Sequence, residues 1–139
     1  MATRASEIMS KEIQTIREDE TLQEAAKRLA TEDIGALPIC NDSRQVKGMM
    51  TDRDIVVQVV ARGKDPSQTR ARELETGQVV TLRPDDSIEH ACDLMAQYQV
   101  RRLPVVENGE LVGMVSQADV AKSVDAQTAG RMLTSISTQ

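Results

Sequence analysis

Two short stretches carry a hydroxyl residue followed three positions later by an aspartate: Thr51-Asp52-Arg53-Asp54 and Ser116-Gln117-Ala118-Asp119. Each follows an apolar run containing Gly-Met and opens a segment with helical spacing. In an isolated occurrence the preferred reading is a capping box, in which the hydroxyl accepts a main-chain N–H and the acid sits at the positive end of the helix. The same geometry suits a ligand. Free N–H groups at a helix start attract phosphate, the hydroxyl adds a hydrogen bond, and a carboxylate one turn on can accept both hydroxyls of a ribose. The pattern holds a sugar-phosphate. It supplies neither an acid–base pair nor a nucleophile, so it points to binding rather than catalysis.

The two stretches belong to a longer repetition. "TRASEI" (3–8) returns as "TRAREL" (69–74), Thr15, Arg17 and Asp19 as Thr81, Arg83 and Asp85, and Leu37-Pro38 as Leu103-Pro104. After a one-residue deletion, "GMMTDRDIV" (48–56) aligns with "GMVSQADVA" (113–121). A repeat found at a constant offset sets the architecture before any fold is considered. The first copy spans 1–62, a linker 63–68, the second copy 69–123, and a polar tail 124–139.

Each copy must build the same elements to position its hydroxyl and acid. A helical turn ("ASEIM", "ARELE") leads to a short strand ("IQTI", "VVTL"). A helix then starts at Thr21 or Ser87, with Glu24 completing a capping-box pattern. Leu22, Ala25, Ala26 and Leu29 form an amphipathic stripe, repeated as Ile88, Ala91, Cys92 and Met95. The strands "GALPIC" and "RRLPVV" follow, each with a proline near its start. A polar turn comes next; Asn108-Gly109 is a two-residue hairpin signal. The returning strands "VKGMM" and "LVGMV" lead into the helix that begins at Thr51 or Ser116. In the first copy that helix carries Ile55, Val56, Val59 and Val60 and can end at Gly63. The order is β-α-β-β-α, twice.

Composition narrows the functional classes. The chain has 139 residues, the length of one compact domain, and half of it alone would bury little apolar surface. With one Tyr and neither Phe nor Trp, the core must come from aliphatic side chains and Met. A net charge of −5 argues against a nucleic-acid footprint, which needs a dominant basic face. No apolar run reaches bilayer length and the N-terminus lacks a signal-peptide core, so no membrane association and a cytoplasmic location are expected. Cys40 and Cys92 then read as reduced core residues and His90 as solvated, which makes no metal site.

Taken in order, "DIGALPIC…VKGMMTDRDIV" and "QVRRLPVVENGELVGMVSQADV" resemble the CBS (cystathionine-β-synthase) domain, and the tandem copies resemble a Bateman module. The chain further resembles short stand-alone bacterial CBS proteins of the hypoxic-response type. The resemblance covers about residues 5 to 123. It implies an α/β (α+β) fold of two pseudo-symmetric repeats packed through their sheets, with clefts that bind AMP, ADP, ATP, NAD or S-adenosylmethionine. The ribose-binding acids map onto Asp54 and Asp119 and the hydroxyls onto Thr51 and Ser116. The adenine positions map onto Thr15, Ile16, Ile34, Gly35 and Ala36 in the first copy and onto Thr81, Leu82, Val100, Arg101 and Arg102 in the second. Pro38 and Pro104 complete the ligand-binding positions that the resemblance implies. The copies differ in charge: Arg101 and Arg102 stand where Gly35 and Ala36 do, and Arg53 where Ala118 does. Arg101 or Arg102 is expected to serve the cleft of Thr51 and Asp54, making it the better phosphate binder.

The expected function is a regulatory, signal-transducing module that senses an adenine nucleotide or NAD, passes its state to an unidentified partner protein, and forms a homodimer through helices such as 52–61. No catalytic cofactor is expected. The alternative is a structural or protein-interaction module without a nucleotide. An enzyme is disfavoured, because no paired carboxylates, Cys–His pair or Gly-rich phosphate loop stands in a recognisable frame.

Overall fold

The computed structural model describes residues 3–75 and 79–123; the polar tail 124–139 lies outside the described residues. In chain order the elements are α1 (Ala5–Ile8), β1 (Ile16–Arg17), α2 (Leu22–Glu32), β2 (Ala36–Cys40), β3 (Val46–Thr51), α3 (Asp52–Ile55) continued by a π-helical stretch Val56–Val60, 3-10 turns at Pro66–Gln68 and Ala71–Leu74, then α4 (Ile88–Tyr98), β4 (Arg102–Glu107), β5 (Glu110–Ser116) and α5 (Gln117–Ala121). The chain divides into two α+β units, one of Gln14–Val79 and one of Met1–Ile13 with Val80–Gln139.

In the unit of residues 14–79, β1 runs parallel to β2 (Ile16 beside Ile39), and β2 is antiparallel to β3 (Ala36 beside Thr51). The expected stripe of α2 works as read: Leu22, Ala25 and Leu29 are buried against Ile16, Leu37, Ile39 and Met50, with Ala26 half-buried. Thr21 caps α2 by accepting the Glu24 N–H at 3.2 Å. The Glu24 carboxylate does not close the box; it lies 3.8 Å from the Arg28 guanidinium. The linker 63–68 is ordered around Asp65, which accepts the Ser67 N–H and hydroxyl at 2.9 and 2.7 Å.

The other unit repeats this plan. α4 buries Ile88, Ala91, Cys92 and Met95 against Leu82, Leu103, Val105 and Val115. β4 and β5 form a hairpin closed at Asn108-Gly109, where both residues have positive φ (53° and 83°), as the primed two-residue turn requires. The expected first strand "VVTL" contracts to one bridge, Leu82 beside Val105. The corresponding strand of the first copy is only Ile16–Arg17. Both are edge segments whose pairing depends on a distant strand rather than on their own propensity.

Each opening turn packs in the unit built mainly from the other copy. The Ala5 N–H donates to the Asp86 carbonyl at 2.8 Å, and Ser10 and Met114 exchange main-chain bonds of 2.8 and 3.0 Å. Equivalently, the Ala71 N–H donates to the Glu20 carbonyl at 2.9 Å. Both segments run over a strand glycine, and at Gly113 a side chain would not fit. A Cβ on Gly113 would lie 2.7 Å from Met9 Cγ, and one on Gly48 would lie 3.4 Å from Glu75 Cγ.

Met9 and Glu75 thus occupy equivalent seats, one apolar and one ionisable. Desolvation, followed by the neighbouring Glu18, holds the Glu75 carboxyl above the ordinary carboxylate range, with Lys47 and Arg72 opposing. A carboxyl raised in the folded state favours folding below its unfolded pKa, and this contribution is lost as pH rises through the folded value. Glu75→Gln keeps the neutral form at all pH. It is expected to raise the melting temperature at pH 7 by roughly one or two degrees, discounted for solvent screening. The gain should vanish near pH 4; an equal gain at both pH values would refute the charge account.

The second helix of the first copy departs from the continuous helix expected from its spacing. After α3 the bonding widens to i→i+5, with Ala61 N–H donating to the Val56 carbonyl at 2.8 Å and Lys64 N–H to Val59 at 3.0 Å. Ile55 and Val59 are buried, whereas Val56 and Val60 are 58% and 60% exposed. The β-branched run Val56-Val57 and Val59-Val60 crowds an α-helical turn, and the wider turn still lets Val59 face the core. Gly63 ends the segment at φ 70°, as expected.

Candidate functional site

Both hydroxyl–aspartate pairs form reciprocal boxes. Thr51 Oγ1 accepts the Asp54 N–H at 3.2 Å, and Asp54 Oδ2 accepts the Thr51 N–H at 2.8 Å. Ser116 Oγ accepts the Asp119 N–H at 3.2 Å, and Asp119 Oδ2 accepts the Ser116 N–H at 3.0 Å. All four residues are half-buried. Each carboxylate spends one oxygen on its cap; among the described residues none donates to the other, Oδ1. A carboxylate has about four acceptor positions, so each box retains acceptor capacity for a ligand.

In the unit of residues 14–79 the strand order gathers the first-copy candidates at one end of the sheet. Ala36 lies beside Thr51, and the Asp52 N–H donates to the Gly35 carbonyl at 3.1 Å. Ile34, half-buried, is tied to α2 through its N–H on the Leu29 carbonyl at 3.1 Å. The register puts Thr15 level with Pro38, two residues along the strand from the level of Ala36 and Thr51. Strand spacing and rise then separate Thr15 from Thr51 by about 12 Å, comparable with the long dimension of a nucleoside. Ile16 is fully buried and paired with Ile39 of β2, so it presents no surface to a ligand. Arg53 is exposed.

The second-copy candidates converge in the same way. Arg102 lies beside Ser116, and the Gln117 N–H donates to the Arg101 carbonyl at 2.8 Å. Val100 is bound through its N–H to the Met95 carbonyl at 3.1 Å. Leu82, 1% exposed, points into the core; its N–H donates to the Pro104 carbonyl at 2.9 Å. Arg101 is exposed and Arg102 half-buried. Among the described residues Arg53, Arg101 and Arg102 enter no ion pair, which leaves their charges available to an anion.

An open groove of about 670 Å³ lies elsewhere in this unit, at the hairpin end of β4 and β5. Of the candidates it holds only Thr81, beside Arg83, Glu107 and Asn108. Its mixed charge and its distance along the strands from Ser116 and Asp119 separate it from the hydroxyl–acid pair.

Two features escaped the sequence reading. Arg28 reaches from the polar side of α2 to the Thr15 carbonyl at 2.7 Å and to Glu20. A lone arginine off the apolar stripe gives no signal beyond the repeat comparison, where Leu94 takes its place. The second is the seat of Glu75 over Gly48.

No three His, Cys, Asp or Glu side chains cluster among the described residues, and His90 is exposed. Burial raises the Cys40 thiol, partly offset by Arg44, and raises Cys92, reinforced by Asp93 and Glu89. Both stay protonated and poorly nucleophilic. No helix among them is long and apolar enough to cross a membrane.

Comparison with known proteins identifies the family and the fold. The CBS domain pattern matches residues 5–61 and 71–126. The chain is 42% identical over 120 residues to Hypoxic response protein 1 of Mycobacterium tuberculosis, covering 86% of this chain and 84% of that one. The crystal structure of Hypoxic Response Protein I with two coordinated zinc ions superposes with a TM-score of 0.83 at 41% identity, covering 88% of this chain and all of that one, 100%. The CBS domain-containing protein YhcV of Bacillus subtilis is 39% identical over 132 residues, covering 94% and 93%.

Proposed function

Because the chain belongs to the CBS-domain family, we propose that it is a regulatory module that binds an adenosine-containing ligand (AMP, ADP, ATP or NAD) and transmits ligand state to a partner protein. The observation that carries this reading is the pair of reciprocal boxes whose carboxylates each keep an oxygen for a ligand, Asp54 and Asp119. In a plain cap that second oxygen is left to water; ribose hydroxyls can take it in a ligand complex. Main chain at 34–36 and 100–102 flanks the two boxes and can receive the base. Arg53, Arg101 and Arg102 supply positive charge for phosphate. No residue takes a catalytic part.

The zinc of the mycobacterial relative is not assigned to this chain. The described residues hold no three-ligand cluster, and a structural zinc site uses four ligands, typically thiolate or imidazole.

A ligand that binds only the folded chain stabilises it by mass action. Adenosine-containing compounds at millimolar concentration are expected to raise the melting temperature, and cytidine and uridine nucleotides to raise it less. Absence of any shift with purine nucleotides would favour a purely structural or interaction module.

The exposed valines Val56, Val57 and Val60 favour self-association. The chain is expected to scatter light as a homodimer at micromolar concentration, and Val60→Lys to shift it toward monomer. A wild-type monomer would overturn this part of the proposal.

A further inference from the structure

Arg28 and Glu20 close the free edge of β1. Arg28 Nη1 donates to the Thr15 carbonyl at 2.7 Å and to Glu20 Oε1 at 3.0 Å, while Nη2 pairs with Glu20 Oε2. Glu20 Oε1 also accepts the Arg17 N–H at 3.0 Å. The Glu18 N–H donates to the Cys40 carbonyl, so alternation along the strand turns the polar groups of Thr15 and Arg17 away from β2. The ion pair therefore holds two main-chain groups that the sheet leaves over. Its side chains are largely shielded, 29% exposed for Arg28 and 22% for Glu20.

The other unit keeps only half of this device. Asp86 Oδ2 accepts the Arg83 N–H at 2.8 Å, as Glu20 does for Arg17. Leu94 stands at the position of Arg28, so no guanidinium from that position reaches the Thr81 carbonyl.

We infer that Arg28 is a positioning residue for the site of Thr51 and Asp54, fixing the first-strand wall against which the base rests and making this the tighter of the two sites. The inference rests on the nucleotide-binding reading. With ribose on Asp54, a nucleoside laid across the sheet end extends toward Thr15, about 12 Å from Thr51 by strand spacing. A wall already held rigid loses less freedom when a ligand settles on it.

The test titrates AMP and ATP into the wild type, Arg28→Leu, Arg28→Lys and Asp54→Ala, and follows amide exchange at Arg17. Arg28→Leu copies the other repeat and is expected to weaken the tighter site about three- to tenfold while speeding exchange at Arg17. Arg28→Lys, which can still donate to the Thr15 carbonyl, should recover part of the affinity. If Asp54→Ala weakens binding but Arg28→Leu leaves it within about twofold of wild type, the pair is a structural clasp only; the inference falls and the nucleotide reading stands. If the wild type binds neither nucleotide, the reading falls and takes the inference with it. Should Arg28→Leu fail to fold, Arg28→Gln replaces it under the same twofold criterion.

Discussion

Asp54→Ala should cut adenine-nucleotide affinity at its site at least about tenfold while leaving the chain folded. A hydrogen bond to a charged acceptor contributes roughly 1.5–3 kcal/mol, and 1.4 kcal/mol is a factor of ten. The substitution also removes the bond from the Thr51 N–H to Asp54 Oδ2, 2.8 Å long, at a stability cost of about 1 kcal/mol. Asp54→Asn separates the two effects. It keeps an oxygen for the cap but loses the charge, so stability should return further than affinity. Asp119→Ala should leave the Asp54 site nearly unaltered. Isothermal titration decides: if Asp119→Ala abolishes the tighter binding while Asp54→Ala does nothing, the two sites have been ranked the wrong way round. If neither changes binding, the carboxylates are helix caps alone.

Leu37→Ala should produce the largest loss of stability. Leu37 is fully buried among Ile16, Leu22, Met50 and the other apolar residues of its cluster, and truncating such a leucine costs about 2–5 kcal/mol because the cavity only partly collapses. The urea midpoint should fall by about 1 M or more. The same variant tests function through stability. A nucleotide at a hundred times its dissociation constant should restore about 2.7 kcal/mol. A midpoint shift well below that range would mean that the site repacks, and no nucleotide rescue would separate the site from the fold.

What could be read from the sequence was whatever depends on side-chain pattern within one copy. The stripe Leu22, Ala25, Ala26, Leu29 and its echo Ile88, Ala91, Cys92, Met95 followed directly from helical periodicity, and all but the half-buried Ala26 are buried. Asn108-Gly109 gave its turn because only a residue pair tolerant of positive φ fits there. Both hydroxyl–acid pairs were found as boxes, since one turn of helix fixes their geometry. The docking of the opening turns was hidden for a reason peculiar to repeats. Ala5 and Ala71 carry the same pattern, and so do their targets at Asp86 and Glu20, so each segment matches either copy. The π-helical stretch at Val56–Val60 was hidden because its spacing still reads as helix. The Arg28 clasp was hidden because its purpose lies in a main-chain carbonyl, which leaves no mark on the sequence.

The exchanged opening turns bear on the order in which the chain can be completed during its synthesis. Arg4 donates to the carbonyl of Asp85, 81 residues later, and Ser10 bonds to Met114 on β5. At roughly 5–20 residues per second, this segment waits several seconds or more for its seat. The unit of residues 14–79 has all its parts as soon as Ala71–Leu74 emerges. It can therefore fold first, with Ile8 and Met9 still unburied ahead of it. Those two side chains, packed in the finished protein against the cluster around Leu103 and Val115, stay open to solvent on the nascent chain until that cluster forms.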